Sequence, residues 1–379
     1  MIKEEQLTEM NKLINKMKRI SSSILIGILK GDYDKALKNI EQGEQLIKRI
    51  QGDSPEEIKE LHSAWLAYRA TIYAFKGDLI LCLKDANELL NVARMYRYNR
   101  GISMGTIALG RYYWLSGDLD TALTHSDRAI RISEENLNNM VDFMSLSEQL
   151  YVATRISVDK EDLERAKMYF KRLEEIREQK AEDLIIKDVY RLAKAFLLKT
   201  SMRSRDRVMA EDEFRKIIEE GGSQFSYKLR ALYGLCELLL EELKISNDIS
   251  IISEIKPLLE ELIGIAQHSG LNYWLIEAYI LHGKLALVIF DMEGSQRYLT
   301  QARNMAESFG YIGLADEITK LHEAMMEKKD TWEQMEKREA PISERMDLAR
   351  LDDHLKGKFR RLMMRLERVD DTPPKKEVF

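Results

Sequence analysis

The chain has 379 residues, enough for two or three compact domains or one elongated array, and its 45% hydrophobic content can bury a substantial core. Only 5 prolines interrupt it, none between Pro55 and Pro257, and no Val-, Ile- or Thr-rich runs alternate as strands do, which excludes a strand-dominated fold and favours long helices. A net charge of −5 argues against a protein that coats nucleic acid, and no apolar run approaches the roughly 18 residues of a membrane span.

Taken in chain order, residues 1–29 carry Leu7, Met10, Ile14 and Met17 at helical spacing and predict an opening helix that packs on the first hairpin as a cap. The first residues are charged throughout and lack the apolar region of a secretory signal, so a cytoplasmic location is expected. A turn then recurs: Lys30-Gly31-Asp32, Lys76-Gly77-Asp78 and Ser116-Gly117-Asp118. The small residues just after these turns, Ala36, Cys82 and Ala122, lie 46 and 40 apart, and Ala166 and Ala210 come next at steps of 44. A degenerate unit falls near Ile252, and the last clear one is Phe290-Asp291 with Ser295. Glycine ends a helix because it tolerates a left-handed backbone, and aspartate caps the next. A small side chain one turn later lets the two helices approach. Gly270 and Gly310 read as stops at the far end of two second helices. About seven helical hairpins result. Cys82 and Cys236 fall inside helical patterns and read as small buried hydrophobes rather than a disulfide or metal pair.

Gly101, Ser103 and Gly105 spell the G-x-S-x-G of a hydrolase nucleophile elbow, but that motif needs a strand, a sharp turn and a helix. Here the surrounding pattern is one continuous helix. The six histidines are scattered, His322-Glu323 is followed by Met326 where a zinc helix needs a second histidine, and no phosphate-binding glycine loop occurs. No catalytic residue, metal or cofactor is therefore expected, and the chain is not expected to be an enzyme.

Leu109-Gly110, Tyr113, Ala122 and Ala129 resemble the pattern of the tetratricopeptide repeat (TPR) family, and Tyr279, His282 and Gly283 echo it. A HEAT-type array has a similar period, but the Gly-Asp turn favours TPR. The period of 40 to 46 exceeds the usual TPR length of about 34, so the chain resembles the TPR arms of prokaryotic maltose-regulator-type transcription activators and peptide-sensing TPR regulators. The resemblance covers roughly residues 20–325, within a repeat domain drawn as 1–325. It implies an all-α, right-handed superhelical solenoid whose concave face is lined by the first helix of each pair. The function implied is non-catalytic: a protein- or peptide-binding scaffold or sensor in signalling or regulation. The alternative is a regulatory arm of a transcription-control system that senses a small molecule.

Eleven residues before the aligned small positions stand Arg111, Arg155, Lys199 and Lys284, whereas Leu25, Thr71 and Glu241 occupy the same place in the other units. Met104, Ile107, Arg111 and Trp114 share a helical stripe opposite Leu109, Gly110 and Tyr113, so Arg111 is expected to point into the groove. Arg111, Arg155 and Lys199 would then form a basic ladder for an acidic peptide or a C-terminal carboxylate, with Tyr68, Trp114, Tyr151 and Phe196 adding apolar contact. The competing reading pairs these cations with neighbours such as Glu148 and places the aromatic rings in the inter-repeat core. Arg203, Arg205 and Arg207 read as a solvated loop between helices, and no direct nucleic-acid contact is expected.

Residues 326–341 are strongly polar and are expected to be a connector. From 342 to 369, Leu348, Leu351, Leu355, Phe359, Leu362, Leu366 and Val369 recur at steps of 3 and 4, predicting an amphipathic helix rich in Lys and Arg. It could cap the solenoid, pair with itself or a partner through Leu355, Phe359, Leu362 and Leu366, lie on an anionic membrane surface, or lead to a further domain. Residues 370–379 are expected to be a disordered tail.

Overall fold

A computed structural model describes residues 2–50, 55–201, 203–341 and 344–345. The amphipathic segment expected over 342–369, with Leu355, Phe359, Leu362 and Leu366, and the tail 370–379 lie outside these residues, apart from 344–345.

The described residues form an all-α array without strands. Seven hairpins succeed one another: α1 (Ile2–Lys30) with α2 (Tyr33–Ile47), α3 (Glu56–Lys76) with α4 (Leu79–Met95), α5 (Asn99–Ser116) with α6 (Leu119–Glu134), and α7 (Met140–Asp159) with α8 (Leu163–Gln179). The array continues with α9 (Leu184–Lys199) and α10 (Ser204–Glu220), α11 (Phe225–Ser246) and α12 (Ser250–His268), and α13 (Asn272–Val288) and α14 (Met292–Ser308), and then α15 (Ile312–Glu327) and α16 (Lys329–Lys337). The opening helix is thus the first member of the first hairpin rather than a separate cap.

The turns work as their residues dictate. Gly31, Gly77 and Gly117 sit at φ of 77°, 87° and 93°, a left-handed backbone that only glycine adopts without penalty. The aspartates that come next cap the second helix: Asp78 accepts from the Leu81 amide at 3.0 Å and Asp118 from the Thr121 amide at 3.0 Å. Ala36, Cys82, Ala122, Ala166, Ala210 and Ser295 are all completely buried, so the small residue of each of these units is where its two helices touch. A β-carbon placed on Gly27 would stand 3.2 Å from that of Ala36, which shows how closely the first pair packs. In units four and seven Glu161 and Phe290 take the left-handed position at φ of 63° and 62°, so these turns form without the glycine signal.

Outer helices bury one stripe each, as α6 does with Ala122, Leu123, Ser126, Ala129 and Ile130. Inner helices are buried nearly all round. In α11 the buried set runs from Tyr227 to Leu243 and includes Arg230, because this helix touches α1, α9, α10, α12 and α13. The contact with α1 carries weight. A single core cluster joins Ile14, Met17 and Ile24 of α1 and Trp65 and Ile72 of α3 to Leu229 and Leu232 of α11, Leu262 of α12 and Leu275 of α13. Leu79 likewise packs with Ile276, Tyr311 and Ile318. The solenoid therefore curls until its first two hairpins meet its last two.

The polar stretch expected to be a connector is helical in its middle. Trp332 and Met335 of α16 are buried, with the Trp332 ring edge-on to Phe290 at 6.3 Å. Arg345 then donates to the Val288 carbonyl at 2.9 Å.

Candidate functional site

The inner face is built by α3, α5, α7, α9, α11 and α13, whose polar side chains meet inside the curl. Because these helices are otherwise apolar, each charge there must find a partner or destabilise the fold. Arg111 of α5 donates from Nη1 to Thr71 Oγ1 of α3 at 3.1 Å and from Nη2 to Glu148 Oε1 of α7 at 3.3 Å. Arg230 of α11 reaches the same Glu148 oxygen from across the curl, with Nη2 at 2.8 Å. Tyr227 donates its hydroxyl to Glu148 Oε2 at 3.3 Å. Aromatic rings enclose the group: the Arg230 guanidinium lies 4.9 Å from the Tyr151 ring and 5.8 Å from Phe75, and Arg111 lies 5.6 Å from Phe75. Burial alone would raise the Glu148 pKa, but the charges of Arg230 and Arg111 outweigh it and hold the carboxyl below its ordinary value.

A second group lies one repeat along. Arg155 pairs with Asp159 at 3.2 Å and stacks over Phe196 with its guanidinium carbon 3.9 Å from the ring centre. Trp114 donates its indole N–H to the other Asp159 oxygen at 2.9 Å. The third group centres on Lys199, whose Nζ stands 3.0 Å from Glu237 Oε2 and 3.9 Å from Glu241. Tyr233 Oη bridges two carboxylates, 3.1 Å from Glu237 Oε1 and 3.3 Å from Glu277 Oε2. Burial, reinforced by the Glu237 charge and opposed by Tyr273 and Lys284, pushes the Glu277 carboxyl up to about 7.

Arg111, Arg155 and Lys199 thus line one inner wall as the repeat register predicts, and each is ion-paired. The Arg111–Glu148 pair is the one named in the competing reading of the ladder. Tyr151 and Phe196 are fully buried core rings, not open groove wall, because the closing helices cover them. Tyr68 is half-buried against the core shared by the first and sixth hairpins, and Trp114 is half-buried beside Asp159. The expected solvated arginine loop is also different. Arg205 and Arg207 belong to α10, and Arg207 pairs with Glu241 at 3.5 Å.

Sequence reasoning missed Arg230, Tyr227, Tyr233, Glu237 and Glu277. A signal for part of this set existed: Arg230, Glu237 and Glu241 are spaced 7 and 4 apart, one stripe of α11, but only Glu241 falls at the ladder position. The G-x-S-x-G segment forms no elbow. Ser103 lies inside α5, buried, its hydroxyl 2.8 Å from that of Ser133 and 3.3 Å from the Ala129 carbonyl it donates to. Cys82 and Cys236 are both unpaired and buried, and burial pushes the Cys82 thiol up to about 12. Among the described residues no cluster of His, Cys, Asp and Glu is arranged to hold a metal, and no helix is long and apolar enough to cross a membrane.

No known family model matches the sequence, and no curated protein matches it. Solved structures similar in fold include two Rap proteins. One is a Rap protein complexed with Competence and Sporulation Factor, at 11% identity and a TM-score of 0.57 over 96% of this chain and 98% of that one. The other is the Rap conjugation gene regulator of the plasmid pLS20 in complex with the Phr* peptide, at 10% identity and a TM-score of 0.52 over 94% and 97% of the two chains. Identity this low shows the fold alone, and that fold is a TPR-like helical repeat.

Proposed function

We propose that the chain is a non-catalytic, peptide-binding regulator that acts in the cytoplasm and holds its ligand on the inner face of the solenoid. The observation that carries this reading is the line of charged groups around Arg111, Arg155 and Lys199, placed on successive inner helices at a spacing of 44 residues. A repeat array that only needed stability would fill such positions with apolar side chains, since buried ion pairs are often no better than well-packed hydrophobes. A row of charged side chains instead offers an extended peptide one recognition point per repeat. The two similar structures support the reading, since both are described with a bound factor or peptide. Acidic side chains or a free C-terminus are the ligand features that match the ladder, and Trp114 and Tyr68 are the half-buried rings placed to add apolar contact.

The test is capture of peptides from a native extract on the immobilised chain, read by mass spectrometry, beside the Arg155→Gln/Lys199→Gln variant. A defined peptide held by the first and lost from the second is expected. Retention equal in both would remove the ligand from the inner face. Retention of a small molecule and no peptide would favour the ligand-sensing alternative.

A further inference from the structure

We infer that Arg111 and Arg230 form a carboxylate-binding subsite in which Glu148 is a resident, displaceable stand-in for a carboxylate of the ligand. The inference rests on the inner face being the ligand site, and it adds what that site recognises and what a ligand must compete with.

The stoichiometry is unbalanced. Two guanidiniums share a single Glu148 oxygen, Oε1, at 3.3 and 2.8 Å, leaving one positive charge in excess within a buried cluster. The donor count is unbalanced too. Arg230 Nη1 is buried and has no hydrogen-bond partner among the described residues, and a guanidinium N–H left unmade in the interior is costly. The Tyr151, Tyr227 and Phe75 rings stand 4.9, 5.5 and 5.8 Å from the Arg230 guanidinium carbon, and the open Nη1 lies on the guanidinium edge. Edge-on approach is how a carboxylate meets a guanidinium, with paired hydrogen bonds. Glu148 is also the outermost of the three, its side chain 18% exposed against 11% for Arg111 and 6% for Arg230. It is therefore the member best placed to leave. Its one other hydrogen bond among the described residues comes from Tyr227. A ligand carboxylate entering here would take over the Arg111 contact and fill Arg230 Nη1 once Glu148 has turned outward, an exchange that leaves the charge of the cluster as it was.

Two sources could supply that carboxylate, the C-terminus of a peptide or an Asp or Glu side chain. The first arm of the test uses sodium acetate at constant ionic strength, with thermal unfolding as the readout. In Glu148→Gln the subsite loses its resident, and acetate should bind about tenfold more tightly than to the wild type, the size of one charge-assisted hydrogen bond. Adding Arg230→Gln should abolish the gain. No acetate effect in a folded Glu148→Gln protein would overturn the subsite.

The second arm leaves Glu148 in place, so it holds even if that variant does not fold. Acetyl-pentaalanine as the free acid, the same peptide as the amide, and the amide with one internal glutamate are titrated against the wild type and Arg230→Lys. The lysine keeps the charge but cannot make paired hydrogen bonds. Either acid form should weaken about tenfold while the neutral amide is unaffected, and which acid form responds identifies the source. Peptide binding that ignores both amidation and Arg230→Lys would overturn the subsite and keep the peptide reading. An acetate effect without any peptide binding would keep the subsite and refute the peptide reading.

Discussion

Replacing Glu277 by glutamine should remove a specific slope from the pH dependence of stability. Glu277 is half-buried in α13 and is faced by Tyr273 and Lys284 on its own helix and by Tyr233 and Glu237 on α11, with Tyr311, the residue before α15, nearby. Tyr233 has one hydroxyl proton and two carboxylates within reach, so it can donate to Glu237 or to Glu277 but not to both. The contact closes without a clash of lone pairs when Glu277 is protonated and donates to the Tyr233 oxygen. That geometry agrees with a folded pKa raised from 4.5 to about 7. A raised carboxyl means that the native state binds more protons than the unfolded chain between those two values. The stabilisation is therefore complete below 4.5 and is lost as pH rises through about 7. At 1.36 kcal/mol per pKa unit the full effect is about 3 kcal/mol, of which about 2.5 kcal/mol falls between about pH 5 and about pH 8. Urea unfolding of the wild type and Glu277→Gln at those two pH values isolates the effect by difference. His62, His125 and His282, whose pKa values burial lowers, contribute with the opposite sign but equally in both proteins. If the two proteins lose or gain stability in parallel, Glu277 does not titrate in this range and the shared-proton reading of Tyr233 is wrong.

Trp332→Ala should cost about 3–5 kcal/mol of local packing and free α16 from Phe290, seen as new protease cleavage after Lys328 or Lys329, while cleavage elsewhere stays unchanged. An unchanged digest would show that α16 is not held by this ring. Asp118→Ala removes the cap on α6 and should lower unfolding stability by about 1 kcal/mol, with Asp118→Asn recovering most of it. A loss no greater than that of an exposed substitution would mean that the cap contributes nothing here.

Much of the repeat plan was legible because its signals are local. A glycine that must adopt a left-handed backbone, an aspartate one residue later and a small residue at the helix contact all act within one turn of chain, and Ala36, Cys82, Ala122, Ala166, Ala210 and Ser295 all proved fully buried. Arg111 and Lys199 were legible for the same reason, since equal register in successive repeats places side chains on one wall. Their partners were not. Arg230 meets Glu148 across 82 residues, and that encounter depends on how far the superhelix curls, which accumulates from small rotations at every hairpin interface. Nor could the pattern distinguish Phe196 as groove wall from Phe196 as core. The same spacing serves both, and only the arrival of α11, whose Gly234 lies against the Phe196 ring, decides it.

The contact between the first and last hairpins has a consequence for how such a protein can change over generations. An open array can gain or lose a repeat at modest cost, because each unit answers only to its neighbours. Here Ile14, Met17 and Trp65 answer to Leu229, Leu262 and Leu275 as well. One hairpin more would carry those surfaces past each other, and one fewer would leave both bare. Repeat number is thus a property of the whole curl, and variation is channelled into turns and outer helices while the count itself is held.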